Sequence, residues 1–187
     1  KTYCYIGDNN MIRENVIINR GIKSEGGTRI GNDCFIMAES HIGHDTHIVG
    51  RCVIGNGATI AGDAEVGECT ILSSGVILHE NSVVGPWVLI KGGCRISGNV
   101  PPYVIMAHNP AVYYGVNALV MRKSGISEDK VDNIAKASRH IYQSGTSVFN
   151  ALKRIETDVE PGEERTCILD FVRGCKMKLV GVSRDLE

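Results

Sequence analysis

Ile30-Gly31-Asn32-Asp33-Cys34-Phe35-Ile36-Met37-Ala38-Glu39-Ser40-His41-Ile42-Gly43-His44-Asp45-Thr46-His47-Ile48 places an isoleucine at every sixth position. Extended both ways, the column runs Ile6, Ile12, Ile18, Ser24, Ile30, Ile36, Ile42, Ile48, Ile54, Ile60, Val66, Leu72, Leu78, Val84, Ile90 and Ile96. Fifteen of these sixteen residues are Ile, Val or Leu, so the period is not accidental. The residue two before each is mostly small (Cys34, Ser40, Thr46, Cys52, Ala58, Ala64, Thr70), and residues two apart on a strand share a side. Glycine follows the aliphatic residue at 7, 31, 43, 55, 67 and 85, and is read as permitting the turn. Short strands turning every six residues predict a parallel β-helix, three strands to a coil and 18 residues per coil, with an interior of stacked aliphatics. Ser24 breaks the column inside Arg20–Gly27, which reads as a loop.

The period stops near residue 100. Sixteen of the 22 glycines precede that point. Val100-Pro101-Pro102-Tyr103 marks the change, and two prolines should end a regular element there. Helices are expected beyond it. Ser127 caps one that carries Val131, Ile134, Ile141 and Tyr142 and stops by Gly145. A second carries Val148, Leu152 and Ile155, and a third starts near Pro161-Gly162 and carries Ile168, Phe171, Val172 and Cys175. The expected domains are a β-helix over 1–100, a connecting loop segment over 101–125 and a helical domain over 126–187.

The 187 residues carry 20 basic and 21 acidic side chains, a balance that argues against nucleic-acid binding through phosphate neutralisation. No apolar run approaches the ~20 residues of a membrane span. Seven cysteines, an odd number, with no leader ahead of the repeat give an expectation of reduced thiols and a cytoplasmic setting. Cys4, Cys34, Cys52 and Cys94 fall in the small inward column and read as core filler; Cys69, Cys167 and Cys175 lack metal spacing. The chain begins with Lys1 and the repeat is in phase from Cys4, so further N-terminal coils are expected.

Catalysis requires side chains outside the prism. His41, His44 and His47 suggest a metal at first sight, but His41 and His47, one repeat apart, belong to different faces; a zinc site between subunits is the alternative. No metal is expected. Adding 18 to a position gives the residue one coil above. His44 leads to Gly62 and then Glu80, and Asp45 to Asp63 and then Asn81. An imidazole beneath a bare backbone position offers a general base beside an N–H donor for a developing oxyanion, the elements of acyl transfer to a hydroxyl. A solvated polar face fits the same residues.

Ile12-Arg13-Glu14, His41-Ile42-Gly43-His44-Asp45, Ala61-Gly62, Val100-Pro101-Pro102-Tyr103-Val104-Ile105 and Gly115-Val116-Asn117 together resemble the UDP-N-acetylglucosamine O-acyltransferase family of lipid A biosynthesis, in its Bacteroidetes-like form. The resemblance covers essentially the whole chain. It implies a left-handed coil, the exception to the usual crossover hand, and homotrimers with clefts between subunits. It implies no cofactor: the acyl donor is an acyl carrier protein thioester and the acceptor UDP-N-acetylglucosamine. Position by position, it makes His44 the base, Asp45 its supporting carboxylate and Gly62 the oxyanion donor. His41 positions substrate, Gly92 sits at the acyl-chain ruler, Asn117 contacts the nucleotide and Lys123 lies near the phosphates. Asn19 and Asp63 stand where many members have histidine, and Glu80 where they have glutamine; these three are also taken as substrate-binding. Leu119 and Ser124 replace polar residues. Other readings are another hexapeptide-repeat enzyme (the lipid A N-acyltransferase, an acetyl-CoA-dependent transferase, a metal-dependent hydratase) or a non-catalytic β-helix scaffold.

Overall fold

The computed structural model describes residues 1–23 and 26–182. Ser24, the break in the aliphatic column, and residues 183–187 of the expected helical domain lie outside the described residues. The chain is a left-handed parallel β-helix followed by helices. Its first face stacks Cys4–Ile6, Thr28–Asn32, His47–Gly50, Glu65–Val66 and Val83–Val84. The second stacks Met11–Ile12, Phe35–Ile36, Val53–Ile54, Ile71–Leu72 and Leu89–Ile90, and the third Ile17–Ile18, His41–Ile42, Thr59–Ile60, Ile77–Leu78 and Arg95–Ile96. All these pairings are parallel. From Thr28 to Ile96 the register is 18 residues, as in Phe35↔Val53 and Ile77↔Arg95.

The first coil is longer. Cys4 pairs with Thr28 and Met11 with Phe35, so it holds 24 residues. The six extra residues equal one repeat, which keeps the aliphatic column in phase across the Arg20–Gly27 loop. Ile36, Ile42, Ile54, Ile60 and Ile90 are wholly buried, whereas Ile6 and Ile12 of the first coil are exposed. Burial in a solenoid requires a coil on both sides. The same reason exposes Cys4, although it shares the register of buried Thr28; Cys34, Cys52 and Cys94 are buried as core filler.

The small inward residues do more than fill gaps. Ser40 Oγ donates to the Gly55 carbonyl (2.9 Å), Thr46 Oγ1 to Ala61 (3.2 Å) and Thr70 Oγ1 to Gly85 (2.8 Å). Each bond joins one coil to the next and satisfies a hydroxyl that burial would otherwise leave costly. The glycines after the aliphatic residues also have a different role from the one expected. The left-handed backbone of the corners falls two residues later, at Asn9, Asp33, Asp45 and Cys69 among others. A Cβ on Gly43, Gly55 or Gly67 would instead lie 2.4–2.8 Å from backbone atoms of the coil above. Close stacking, not turn conformation, requires glycine there.

Residues 101–125, expected as a connecting loop, hold regular structure. Val100 bridges to Val84 and the prolines occupy a corner, after which Val104–Ala107 adds to the second face with Ile90↔Met106. The prolines are compatible because a corner needs fewer backbone donors than a strand. Val112–Val116 then pairs antiparallel to Val104–Ala107. Among the described residues four helices follow: α1 (Ala118–Lys123), α2 (Glu128–Tyr142), α3 (Val148–Asp158) and α4 (Glu163–Gly174). Ser127 and Ser147 occupy N-cap positions, and Ser147 accepts from the Asn150 N–H (3.3 Å). Ile134, Ile141, Ile155, Ile168 and Val172 form a second core together with Tyr103 and Met121.

Candidate active site

His44 and Asp45 occupy the corner between the third and first faces. Asp45 adopts φ 55°, which swings its carboxylate back against its neighbour. His44 Nδ1 lies 3.1 Å from Asp45 Oδ2. The imidazole is 37% exposed and the carboxylate only 6%. Ile22 N–H donates to the same Asp45 oxygen (3.0 Å). That bond first, and the His44 ring with the Lys23 backbone after it, hold the carboxyl below its usual range against the opposing effect of burial. The Asp45 carboxyl is therefore ionised at neutral pH. An ionised carboxylate only accepts, so in the neutral ring the proton belongs on Nδ1 and the lone pair on Nε2.

The coil above supplies the second part. Asp63 N–H donates to the His44 carbonyl (3.0 Å) and Asn81 N–H to Gly62 (3.2 Å), so His44, Gly62 and Glu80 stack as the register predicts. A Cβ on Gly62 would lie 2.4 Å from His44 Cε1 and 2.6 Å from Nε2. The bare backbone at 62 is what gives the imidazole its place. On the same side His41 Nε2 meets Asn19 Oδ1 at 2.6 Å. Both belong to the third face or its end, and the bond fixes the His41 ring.

The loop of the first coil, together with Thr28 at the start of the next strand, closes the lower side; residues 20–27 carried no signal in the repeat. Thr28 Oγ1 donates to the Asn19 carbonyl (2.6 Å) and accepts from Asp45 N–H (2.9 Å). Gly21 packs against Asp45, whose Oδ1 is buried without a hydrogen-bond partner among the described residues. Lys23 Nζ forms an ion pair with Asp63. The only hint of these contacts was the break at Ser24 between two glycines.

The other expected site residues lie elsewhere on the chain. Gly92 stands on the corner between the second and third faces, where Lys91 Nζ rests 3.7 Å from the centre of the Tyr114 ring. Asn117 is buried at the start of α1, beside the corner between the first and second faces, with its Nδ2 donating to the Trp87 carbonyl (2.9 Å). Lys123 is exposed in the last turn of α1, Leu119 is exposed, and Ser124 is the C-cap. One chain thus spreads His44, Gly92 and Asn117 over three corners. Beside Asp63 a groove of about 710 Å³ runs toward α4, lined by Glu65, Asn81, Val83, Asp170 and Phe171. His41 lies on the third face and His47 on the first, and no group of three metal-ligating side chains occurs among the described residues.

Residues 99–180 match the family model of UDP N-acetylglucosamine O-acyltransferase domain 2, and residues 27–62 match the bacterial transferase hexapeptide, six repeats. The acyl-[acyl-carrier-protein]–UDP-N-acetylglucosamine O-acyltransferase of Myxococcus xanthus is 34% identical over 95% of this chain and 69% of its own length. That of an Anaeromyxobacter strain is 30% identical over 98% of this chain and 70% of its own. The chain belongs to this O-acyltransferase family. It is an acyltransferase on that ground. Among solved structures, the LpxA UDP-N-acetylglucosamine acyltransferase of Bacteroides fragilis aligns with TM-score 0.86 and 30% identity, covering 97% of this chain and 82% of that one. LpxA of Acinetobacter baumannii aligns at TM-score 0.90 and 28% identity, covering 98% and 70%. No helix among the described residues is long and apolar enough to cross a membrane.

Proposed function

We propose that the chain transfers a 3-hydroxyacyl group from acyl carrier protein to the 3-hydroxyl of UDP-N-acetylglucosamine, the first step of lipid A biosynthesis, with His44 as general base. The observation that carries this reading is the His44–Asp45 contact beneath the bare backbone of Gly62. Nε2 takes the proton of the sugar hydroxyl as its oxygen attacks the thioester carbonyl. The ionised Asp45 stabilises the imidazolium that results, as an orienting carboxylate does in other nucleophile–base pairs. Gly62 N–H supports the oxyanion of the tetrahedral intermediate. Collapse breaks the C–S bond, and the imidazolium returns its proton to the departing thiolate. Base and oxyanion donor belong to the chain itself, and the thioester carries the acyl group, so this step uses no further cofactor.

We further propose a homotrimer. The corner of His44 is acidic, with Asp45, Asp63, Glu65 and Glu80, and a diphosphate requires cations. Lys123 and Asn117 stand at another corner, and Gly92 at the third. A threefold arrangement brings unlike corners together, so that His41, Asn19, Asp63 and Glu80 of one chain face Gly92, Asn117 and Lys123 of others. We also propose a cytoplasmic setting, which the free cysteines support. The test is mass spectrometry of UDP-N-acetylglucosamine incubated with the complete enzyme and a set of acyl carrier protein thioesters. Appearance of the O-acylated sugar nucleotide supports the reading; no product with any of these thioesters, or product only when acetyl-CoA is supplied in their place, overturns it. A native mass of one chain at micromolar concentration overturns the trimer.

A further inference from the structure

The ion pair between Lys23 and Asp63 joins the loop of the first coil to the coil above His44. Asp63 directly follows Gly62, and its own N–H is bonded to the His44 carbonyl (3.0 Å). Its carboxylate is thus a fixed negative charge beside the place where the proposed mechanism develops another. Asp45, on the same corner one coil below, is a second. Two carboxylates next to an oxyanion donor oppose the charge that donor must support. Lys23 is the cation that faces both: its ammonium binds Asp63 and is drawn toward Asp45, and the bond from Ile22 N–H to Asp45 places it there. The pair is only partly shielded, with Lys23 58% and Asp63 26% exposed, so its part in holding the fold together is small.

We infer that Lys23 is a positioning residue for acyl transfer, cancelling the charge of Asp63 so that Gly62 N–H can support the oxyanion. The inference rests on the reading of His44 and Gly62 given above. It deepens that reading by assigning a role to a loop residue outside the repeat. The oxyanion exists in the transition state and not in bound substrate, so loss of Lys23 falls on kcat and leaves KM for the sugar nucleotide nearly unchanged.

A charge cycle tests it. In the complete enzyme, Lys23→Met is expected to lower kcat about tenfold, the scale of one uncancelled unit charge several ångströms away at a partly exposed site. Lys23→Arg retains the activity. In an Asp63→Asn background the same Lys23→Met change costs less than about twofold, because the charge to be cancelled is gone. Melting temperatures of all variants should agree with wild type within a few degrees. Wild-type kcat in Lys23→Met, an equal loss in both backgrounds, or a loss confined to KM overturns the inference; the last would mean that Lys23 contacts the substrate itself. His44→Ala separates the two levels. If His44→Ala retains activity, the general-base reading has failed. If His44→Ala is inactive and Lys23→Met is unaffected, only the role of Lys23 has failed.

Discussion

Gly62 and Gly92 hold the same place in the repeat, each two residues beyond an inward isoleucine, but they stand on different corners of the prism. A side chain at 62 would strike the His44 ring at 2.4–2.9 Å; one at 92 would meet only the Ser74 carbonyl, at 3.1 Å. The backbone at the two corners is built alike, with a left-handed residue next in the chain, Asp63 in one case and Gly93 in the other. What differs is the neighbour below. At one corner the coil beneath lifts an imidazole into the space a side chain would take, and at the other it presents only backbone. The repeat therefore fixes where a corner lies and leaves its chemistry to the side chains of adjacent coils.

The comparison is tested most severely at its centre. His44→Ala should lower turnover by roughly 10²–10⁴-fold, the usual contribution of a general base, with the fold kept because the ring is partly exposed and outside the core. Steady-state kinetics and circular dichroism on the same preparation decide this. Gly62→Ala should come next, with kcat down by about 10–10²-fold, since the ring must leave its place or the oxyanion donor must shift. Gly92→Ala is its control and should keep nearly full activity. If the two alanine variants behave alike, the corners do not differ as described.

Gly92→Met sharpens the comparison from the other side. A larger side chain closes the space a long acyl chain would use, and each methylene it excludes is worth about 0.8 kcal/mol, or roughly fourfold in preference. The donor profile should shift toward shorter chains while nucleotide affinity stays constant. A profile matching wild type would place the limit on chain length elsewhere, for instance under Lys91 and Tyr114.

The smallest effect concerns pH. Asp45 has a carboxyl held low in the folded state, chiefly by Ile22 N–H and then by His44. Such a group stabilises the fold above the ordinary carboxylate pKa, and the stabilisation disappears as pH falls through the folded value. Asp45→Asn should therefore melt below wild type near neutral pH, with the gap closing below about pH 4. A constant gap across that range would show that the carboxylate charge is not what holds the loop.

The prism was legible because its interior is one environment repeated. A residue's place in the column states its burial, and adding 18 finds its neighbour, which is how Gly62 and Glu80 were brought to His44 before any coordinates. Even the long first coil stayed in phase, since its insertion is one repeat long. Where the spacing changes, legibility fails: Val84 to Val100 and Ile90 to Met106 are 16 apart, and that coil was read as a connection. Lys23 and Asp63 are 40 residues apart and meet through the return path of a loop with no period. Asn117, carried over as a nucleotide contact, also gives its amide to the Trp87 carbonyl. Residue type could not show which of its polar groups the fold itself uses.

The loop that brings Lys23 to the site leaves and rejoins the coil at one atom. Gly21 N–H and Thr28 N–H both donate to the Tyr3 carbonyl, at 2.9 and 3.2 Å. A segment anchored in this way is a graft site. Its length can change with only a slow, logarithmic entropy cost, and no strand of the stack need shift to receive a different insert. Related enzymes could therefore diverge in how they tune the charge around the base by exchanging this one segment, and a designer could do the same without redesigning the core.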